Sequence, residues 1–298
     1  MGHAASVMTD RGTAFARERG RLWGVAYRML GSRADAEDAV QEAYLRWHHA
    51  RVDEIRAPRA WLVTTVTRLC IDRLRQLRTE RERYTGPWLP EPLVGEAPPE
   101  ADEAAELASD LSVAVLAVLE RLAPEERAAF LLREVFDVDY AQIAQALGKS
   151  AAACRQIVSR AVKRVRARKP RVDVSPDAKA RLLEGLVHAI QAHDQAGLLE
   201  LLAADATWTS DGGGKQKAAR KELRGAAKVA RFAVGVYRKI VGGTEFRAVS
   251  VNGEPGVAAF FQGRLLSVMS INTDGRRILD VYSIMNPDKL RRVHLAAR

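Results

Sequence analysis

The segment Asp139-Tyr-Ala-Gln-Ile-Ala-Gln-Ala-Leu-Gly148-Lys-Ser150 narrows the possible folds more than any other part of the chain. Tyr140 to Leu147 reads as a short helix, Gly148 stops it, and Ser150 is placed to cap the long helix that follows. Two helices joined this way form a helix-turn-helix. Ile143, Ala144, Leu147, Ile157, Val158 and Val162 fall on the faces that would pack together. That leaves Ser150, Arg155, Gln156, Ser159, Arg160 and Lys163 on the outer face. Arginine pairs with guanine and glutamine with adenine in the major groove. From Lys149 to Arg171 there are nine basic residues and no acid. A basic helix face alone would read as solvated surface. Behind this turn it reads as a DNA-binding face.

Upstream, Phe15 to Arg83 is helical in pattern. Leu22, Val25, Ala26, Met29 and Leu30 form one apolar stripe, and Gly31 and Ser32 punctuate its end. Arg33 to His48 follows, with Ala36, Ala39, Val40, Ala43, Tyr44 and Trp47 inside and Asp35, Glu37, Asp38, Gln41 and Glu42 outside. A loop through Val52 to Ala57 leads to Pro58, which suits the first turn of a long helix. Its apolar set is Trp61, Leu62, Val66, Leu69, Ile71 and Leu74, and it ends among arginines. Arg59, Trp61, Thr64, Thr65, Arg68 and Arg73 offer stacking and cationic contacts to an unstacked strand. Trp47 and Trp61 also suit an ordinary core.

Residues 86–110 break this character, with five of the chain's eleven prolines, seven acids and no Lys or Arg. That composition reads as an extended linker. The embedded Trp88-Leu89-Pro90-Glu91-Pro92-Leu93 is too apolar for a plain spacer; it reads as a docking segment or as a staple onto a neighbouring helix.

From Asp177 the pattern becomes α+β. Helices are expected over Ala178–Leu202 and Arg224–Arg238. Strands follow at Glu245–Val251, Gly256–Phe261, Leu265–Ile271 and Ile278–Met285, with Trp208 on an earlier strand. Asn252-Gly253 and Asp274-Gly275 are hairpin turn signals.

The net charge of +10 favours polyanionic partners. The two cysteines, Cys70 and Cys154, lie in apolar-periodic helices without a CxxC, so neither a zinc site nor a disulfide framework is expected. No run approaches the ~18 apolar residues of a membrane span, and Met1 to Asp10 lacks a signal-peptide core. A cytoplasmic location follows. No cofactor is expected.

Ala34-Asp-Ala-Glu-Asp-Ala-Val-Gln-Glu-Ala-Tyr44, Pro58-Arg-Ala-Trp-Leu62, Ile71-Asp-Arg-Leu74 and the helix-turn-helix, in this order and spacing, resemble an extracytoplasmic-function (ECF) sigma factor of the sigma-70 family. The resemblance implies sigma region 2 at 12–85, a linker at 86–109 and sigma region 4 at 110–171, both regions all-α. It implies that Asp35, Asp38, Gln41, Glu42 and Leu45 bind the clamp helices of the RNA polymerase core, whose flap is a further partner. It also implies that the loop from His48 to Pro58 and the helix from Arg59 open and read the −10 element of promoter DNA and that the helix after Ser150 reads the −35 element. The chemistry then belongs to the polymerase, and no catalytic residue is expected in this half. A LuxR-type regulator would share the helix-turn-helix but has no use for the acidic helix.

Ala203-Ala-Asp-Ala-Thr-Trp-Thr-Ser-Asp211-Gly-Gly-Gly-Lys215, Leu223-Arg-Gly-Ala, the linker Trp88–Pro92 and the tail Asn286-Pro-Asp-Lys-Leu290 look like one subgroup of these factors, the SigJ type. That subgroup carries a SnoaL-like (NTF2-like) α+β cone domain, here 177–298. The resemblance implies control of sigma activity in cis, in place of a separate anti-sigma protein. Contacts between Trp88, Leu89, Pro90, Glu91, Pro92 and Asp211, Gly212, Gly213, Gly214, Lys215 would carry it, with the linker carboxylates near Lys215 and Arg220. Asp211–Lys215 lacks P-loop spacing and also suits a flexible hairpin. A small-molecule sensor, with a pocket built from Trp208, Phe232, Tyr237, Phe246 or Phe260, stays open. So does a cyclase- or isomerase-like enzyme using His188, His193, Asp211 or Asp280.

Overall fold

A computed structural model describes residues 2–50, 55–95, 112–166, 174–239 and 244–295, with side chains from residue 12 onward except 237 and 239. Contacts divide the chain into two compact units. One holds residues 1–80, 102–108 and 118–167, and the other holds 81–101, 109–117 and 168–298.

The first unit begins with α1 (Gly2–Leu30), α2 (Arg33–His49) and α3 (Pro58–Glu82), whose last two residues belong to the second unit. The sequence signals act as expected. Gly31 takes φ 67° after α1, and the Ser32 hydroxyl accepts from Asp35 N at 3.3 Å. Leu22, Met29, Val40, Trp47, Leu62 and Val66 are buried in this unit. The unit continues from residue 118 into α5 (Pro124–Glu134), α6 (Tyr140–Leu147) and α7 (Ala151–Arg166). Arg127, buried on α5, ties the helices together: its guanidinium donates to Met29 O and to Leu119 O, and lies 2.6 Å from Glu120 Oε1. Such a cation keeps its fork of donors satisfied at a cost lower than leaving it unpaired.

Among the described residues, the second unit is a seven-stranded sheet with helices. Its strands are β1 (Val94–Gly95), β2 (Leu202–Asp211), β3 (Leu223–Arg224), β4 (Thr244–Val251), β5 (Glu254–Phe261), β6 (Arg264–Thr273) and β7 (Ile278–Ile284), in the order β1-β4-β5-β6-β7-β2-β3. All neighbours are antiparallel except β2 and β7. Asn252 and Gly253 take φ 53° and 77° in the hairpin between β4 and β5, which only a short polar residue and glycine adopt cheaply.

The two sheet faces bury different things. One packs on α8 (Pro176–Gln191), α9 (Gln195–Leu201) and α10 (Ala226–Lys239), with Leu186, Leu198, Val229, Trp208 and Ile271 at the centre. The other face carries Val249, Ala258, Val268, Tyr282 and Ile284. It is covered by Leu89 and Val94 of the linker, by Val113, Ala114 and Ala117 of α4 (Val113–Leu119), and by Leu290 of α11 (Pro287–Leu290). Alternation along the strands sorts these sets, because successive side chains point to opposite faces.

Two expectations change. The single helix over Ala178–Leu202 is two helices, α8 and α9. Between them His193 takes φ 55° and the Asp194 carboxylate accepts from Gly197 N at 2.9 Å, capping α9. A local cap satisfies backbone donors that a continuous helix would have used internally. The second change is a strand within the stretch read as an extended linker with a docking segment: Val94 pairs with Val251 and Gly95 with Ser250 at the edge of the sheet. Residues 51–54, the acids from Glu96 to Asp110, the bases Arg168 to Arg171 and the Tyr237 ring lie outside the described residues.

Candidate nucleic-acid interface and linker clamp

The helix-turn-helix is built as the sequence requires. Asp139 accepts from Gln142 N at 2.8 Å and caps α6, Gly148 takes φ 64°, and the Ser150 hydroxyl accepts from Ala153 N at 3.2 Å to cap α7. Ile143, Ala146, Cys154, Ile157, Val158, Ala161 and Val165 are buried between the helices and α5. Arg155, Gln156, Ser159, Arg160 and Lys163 are all exposed. The Arg155 guanidinium sits over the Tyr140 ring, 5.2 Å from its centroid, which pre-orients it at the start of the exposed face.

On α2, Asp38, Gln41 and Leu45 are exposed, and Leu45 is 45% exposed. With the half-buried Glu42, which bonds Arg46 at 2.8 Å, they form one acidic and apolar stripe at helical spacing. Asp35 stands apart: its carboxylate accepts from Arg73 Nε at 2.8 Å.

The set expected to meet the −10 strand does not form one open face. Arg59 is exposed at the start of α3, and Trp61 is half-buried with its ring 5.6 Å from that of Trp47. Thr64 and Thr65 are buried, and Thr65 gives its hydroxyl to Trp61 O at 2.8 Å. Arg68 donates to Ala146 O and Gln145 O, at 3.0 and 2.6 Å, at the carbonyl end of α6. A guanidinium there satisfies carbonyls that the helix leaves open, and it lies at the negative end of the dipole. Arg73 is held by Asp35. In this arrangement, then, two of the six candidates are covered and two are engaged within the protein.

In the second unit the Asp211 carboxylate, at the end of β2 and 0% exposed, accepts four hydrogen bonds. Oδ1 accepts from Tyr84 OH at 2.6 Å and Gly213 N at 3.1 Å; Oδ2 accepts from Leu89 N at 2.8 Å and Lys289 Nζ at 2.7 Å. Asn286 Nδ2 donates to Tyr84 OH at 2.8 Å, and Lys289 Nζ also donates to Leu89 O. The Trp88 ring has Lys289 Nζ 3.9 Å and the Arg81 guanidinium 4.0 Å from its centroid. Further on, Asn252 binds both backbone groups of Leu93, donating from N at 2.7 Å and accepting at Oδ1 at 3.2 Å. Pro90, Glu91 and Pro92 are buried between these anchors. Burial, then the bond to Asp211, pushes the Tyr84 hydroxyl well above the usual tyrosine range.

The three glycines have stereochemical duties. Gly213 has φ 59°, and a Cβ there would lie 2.3 Å from Asn286 Nδ2. Gly214 has φ 73°, and its Cβ would press on Thr85 at 3.2 Å. A hairpin chosen only for flexibility would not have these constraints. Gly212 is closed by Gln216 O and Ala218.

Among the described residues Lys215 meets no linker carboxylate, and the linker acids from Glu96 to Asp110 lie outside them. Its ammonium pairs with Asp288 at 2.5 Å, and Arg220 meets the linker through its backbone, beside Gly86. Tyr84, Asn252, Asn286 and Lys289 belong to the clamp and were absent from the residues expected to carry it. Asn286 and Lys289 lie in the tail motif, which was the available signal.

The enzyme candidates do not converge. His188 is exposed on α8 and His193 sits in the turn after it. Asp280 accepts from Thr207 Oγ1 at 2.6 Å and Asn272 Nδ2 at 2.8 Å, while Asp211 faces the linker. Among the described residues no cluster of His, Cys, Asp and Glu is placed to hold a metal, and no helix is long and apolar enough to cross a membrane.

Sigma-70 region 2 matches residues 14–80 and Sigma-70, region 4 matches residues 112–165. The ECF RNA polymerase sigma factor SigJ of Mycobacterium tuberculosis is 40% identical over 283 residues, which span 91% of this chain and 90% of that protein. The probable ECF RNA polymerase sigma factor SigI of the same species is 30% identical over 294 residues, 93% of each chain. The crystal structure of the M. tuberculosis ECF sigma factor SigJ aligns with a TM-score of 0.76 at 37% identity, over 94% of this chain and 98% of that one. The order of elements, the exposed helix-turn-helix face and these matches agree: the chain belongs to the ECF RNA polymerase sigma factors of the sigma-70 family.

Proposed function

We propose that this sigma factor recruits core polymerase to promoters under the control of its own C-terminal α+β domain, which acts by gripping both ends of the linker. One observation carries the reading. Leu89 and Val94, before the acidic stretch, and Val113, Ala114 and Ala117, after it, pack into the same apolar core on one face of the C-terminal sheet. A free linker lets the two DNA-reading regions separate as promoter spacing demands. A linker whose two ends are pinned to one sheet face holds those ends at a fixed separation and restricts how far the regions can part.

In this reading Arg155, Gln156, Ser159, Arg160 and Lys163 read the −35 element. Asp38, Gln41, Glu42 and Leu45 contact the core enzyme. Arg59 and Trp61 are available to the −10 strand, whereas Arg68, Arg73, Thr64 and Thr65 need a rearrangement first. A regulator in the same chain removes the need for a separate anti-sigma protein, and the factor acts where the polymerase is, in the cytoplasm. The C-terminal domain has no catalytic role in this account.

Run-off transcription with purified core polymerase tests it, comparing the full chain with its Lys289→Gln variant. The reading expects promoter-dependent transcript from the full chain and a several-fold change in Lys289→Gln at equal core binding. Equal transcript from both rejects control through the clamp, and no transcript from either rejects promoter recruitment.

A further inference from the structure

Between the helix-backed sheet face and α10 lies a cavity of about 440 Å³, within the range that holds small ligands. It is distinct from the linker clamp, which occupies the opposite sheet face. Three rings expected from the sequence, Trp208, Phe232 and Phe246, line it. Phe260 does not; it lies in the other core beneath Arg247. Trp208 and Phe232 stand edge to face with centroids 5.7 Å apart and form an apolar corner of the cavity.

The polar groups of the cavity are few and of one kind. Ser267 and Ser283 are buried in it, and Thr244 Oγ1 is buried there with no hydrogen-bond partner among the described residues. A buried hydroxyl without a partner costs free energy that a ligand's acceptor would recover. Lys217 is the one charged residue in the lining, and its side chain is exposed at the mouth. Among the described residues no Asp, Glu or His lines the cavity, so its electrostatics favour an anion and offer nothing to a cation.

We propose that this cavity binds an aromatic or otherwise apolar small molecule with a single acidic group, its rings against Trp208, Phe232 and Phe246 and its acid at Lys217. The site is placed to be read by the rest of the domain. Ser210 and Ser283 of its wall are the residues immediately before Asp211 and Ile284, on strands that run to the clamp. The binding claim itself does not depend on the clamp regulating transcription.

The test titrates the full chain with anilinonaphthalene sulfonate, an aromatic anion, and with phenyl-naphthylamine, its uncharged counterpart. Both should saturate at one molecule per chain and compete. Lys217→Gln should weaken the anion about two- to fivefold, as expected for a mouth-exposed ion pair, and leave the neutral probe unchanged. Leu266→Trp, which fills the cavity, should abolish both; if it lowers the melting temperature, Ala218→Trp at the rim is read instead. Failure of both probes to saturate overturns the proposal. So does binding that survives both kinds of substitution, since the probes would then sit on the outer surface. Because the titration reads binding and not transcript, its failure cannot be confused with failure of the regulatory reading.

Discussion

Lys289 Nζ lies 2.7 Å from Asp211 Oδ2, a carboxylate with 0% exposure, and the same ammonium also bonds the backbone of Leu89. One ion pair thus joins the C-terminal tail, the end of β2 and the linker. Removing one partner of a buried pair leaves the other uncompensated, at a cost of ~3–5 kcal/mol. Asp211→Ala is therefore expected to destabilise the C-terminal unit by about that much in urea unfolding followed by tryptophan fluorescence. A loss within ~0.5 kcal/mol, typical of surface substitutions, would mean that the pair is not buried in solution.

Tyr84 gives this clamp a pH dependence. Its hydroxyl titrates above the ordinary value of 10.0 because burial, then the bond to Asp211, opposes ionisation. The folded state thus holds the proton more tightly than the unfolded chain does. The contribution is complete below the unfolded value and is lost as pH rises toward the folded one. Stability of the C-terminal unit should fall above about pH 10, more steeply in the native chain than in Tyr84→Phe. Parallel curves for the two would refute the assignment.

Gly213→Ala combines a left-handed backbone with a Cβ 2.3 Å from Asn286 Nδ2. The backbone alone costs ~1–2 kcal/mol, and Asn286 must move off Tyr84. The melting temperature should drop in Gly213→Ala and stay near native in Gly235→Ala, where a Cβ meets nothing within 4 Å and the intermediate exposure leaves room. Equal effects would argue against the close approach.

On the DNA side, Arg155→Ala should weaken binding to the preferred −35 sequence by ~1–3 kcal/mol and reduce discrimination at one base pair. A residue that touches only phosphate would weaken all sequences alike and lower the salt dependence. Competition between promoter and scrambled duplexes at two salt concentrations separates the two. A uniform loss would move Arg155 from the base-reading set to the phosphate set.

Much of this was legible in local sequence because the signals were local. Gly148, Ser150 and the 3.6-residue period placed α6 and α7, and Asn252-Gly253 placed the hairpin of β4 and β5. The break at His193 was hidden because Asp194 in a helical pattern looks like any solvated acid until the chain turns and its carboxylate caps α9. Thr64 and Thr65 looked available because their burial depends on helices distant in sequence. The partners of Asp211 were hidden for the same reason: Tyr84 is 127 residues away and Lys289 is 78. Sequence pattern marked both ends of the clamp as unusual. Only the fold shows that Lys215 turns to Asp288 while Lys289 takes the carboxylate.

Hydrogen exchange at the Leu89 amide tests the central claim, that the C-terminal domain holds the linker, most directly. This amide is bonded to a buried carboxylate at 2.8 Å. In the full chain it should exchange as slowly as the amides of β5 and β6, and Asp211→Asn should speed its exchange more than theirs. Exchange of Leu89 at the rate of an open chain in the native protein would contradict the account.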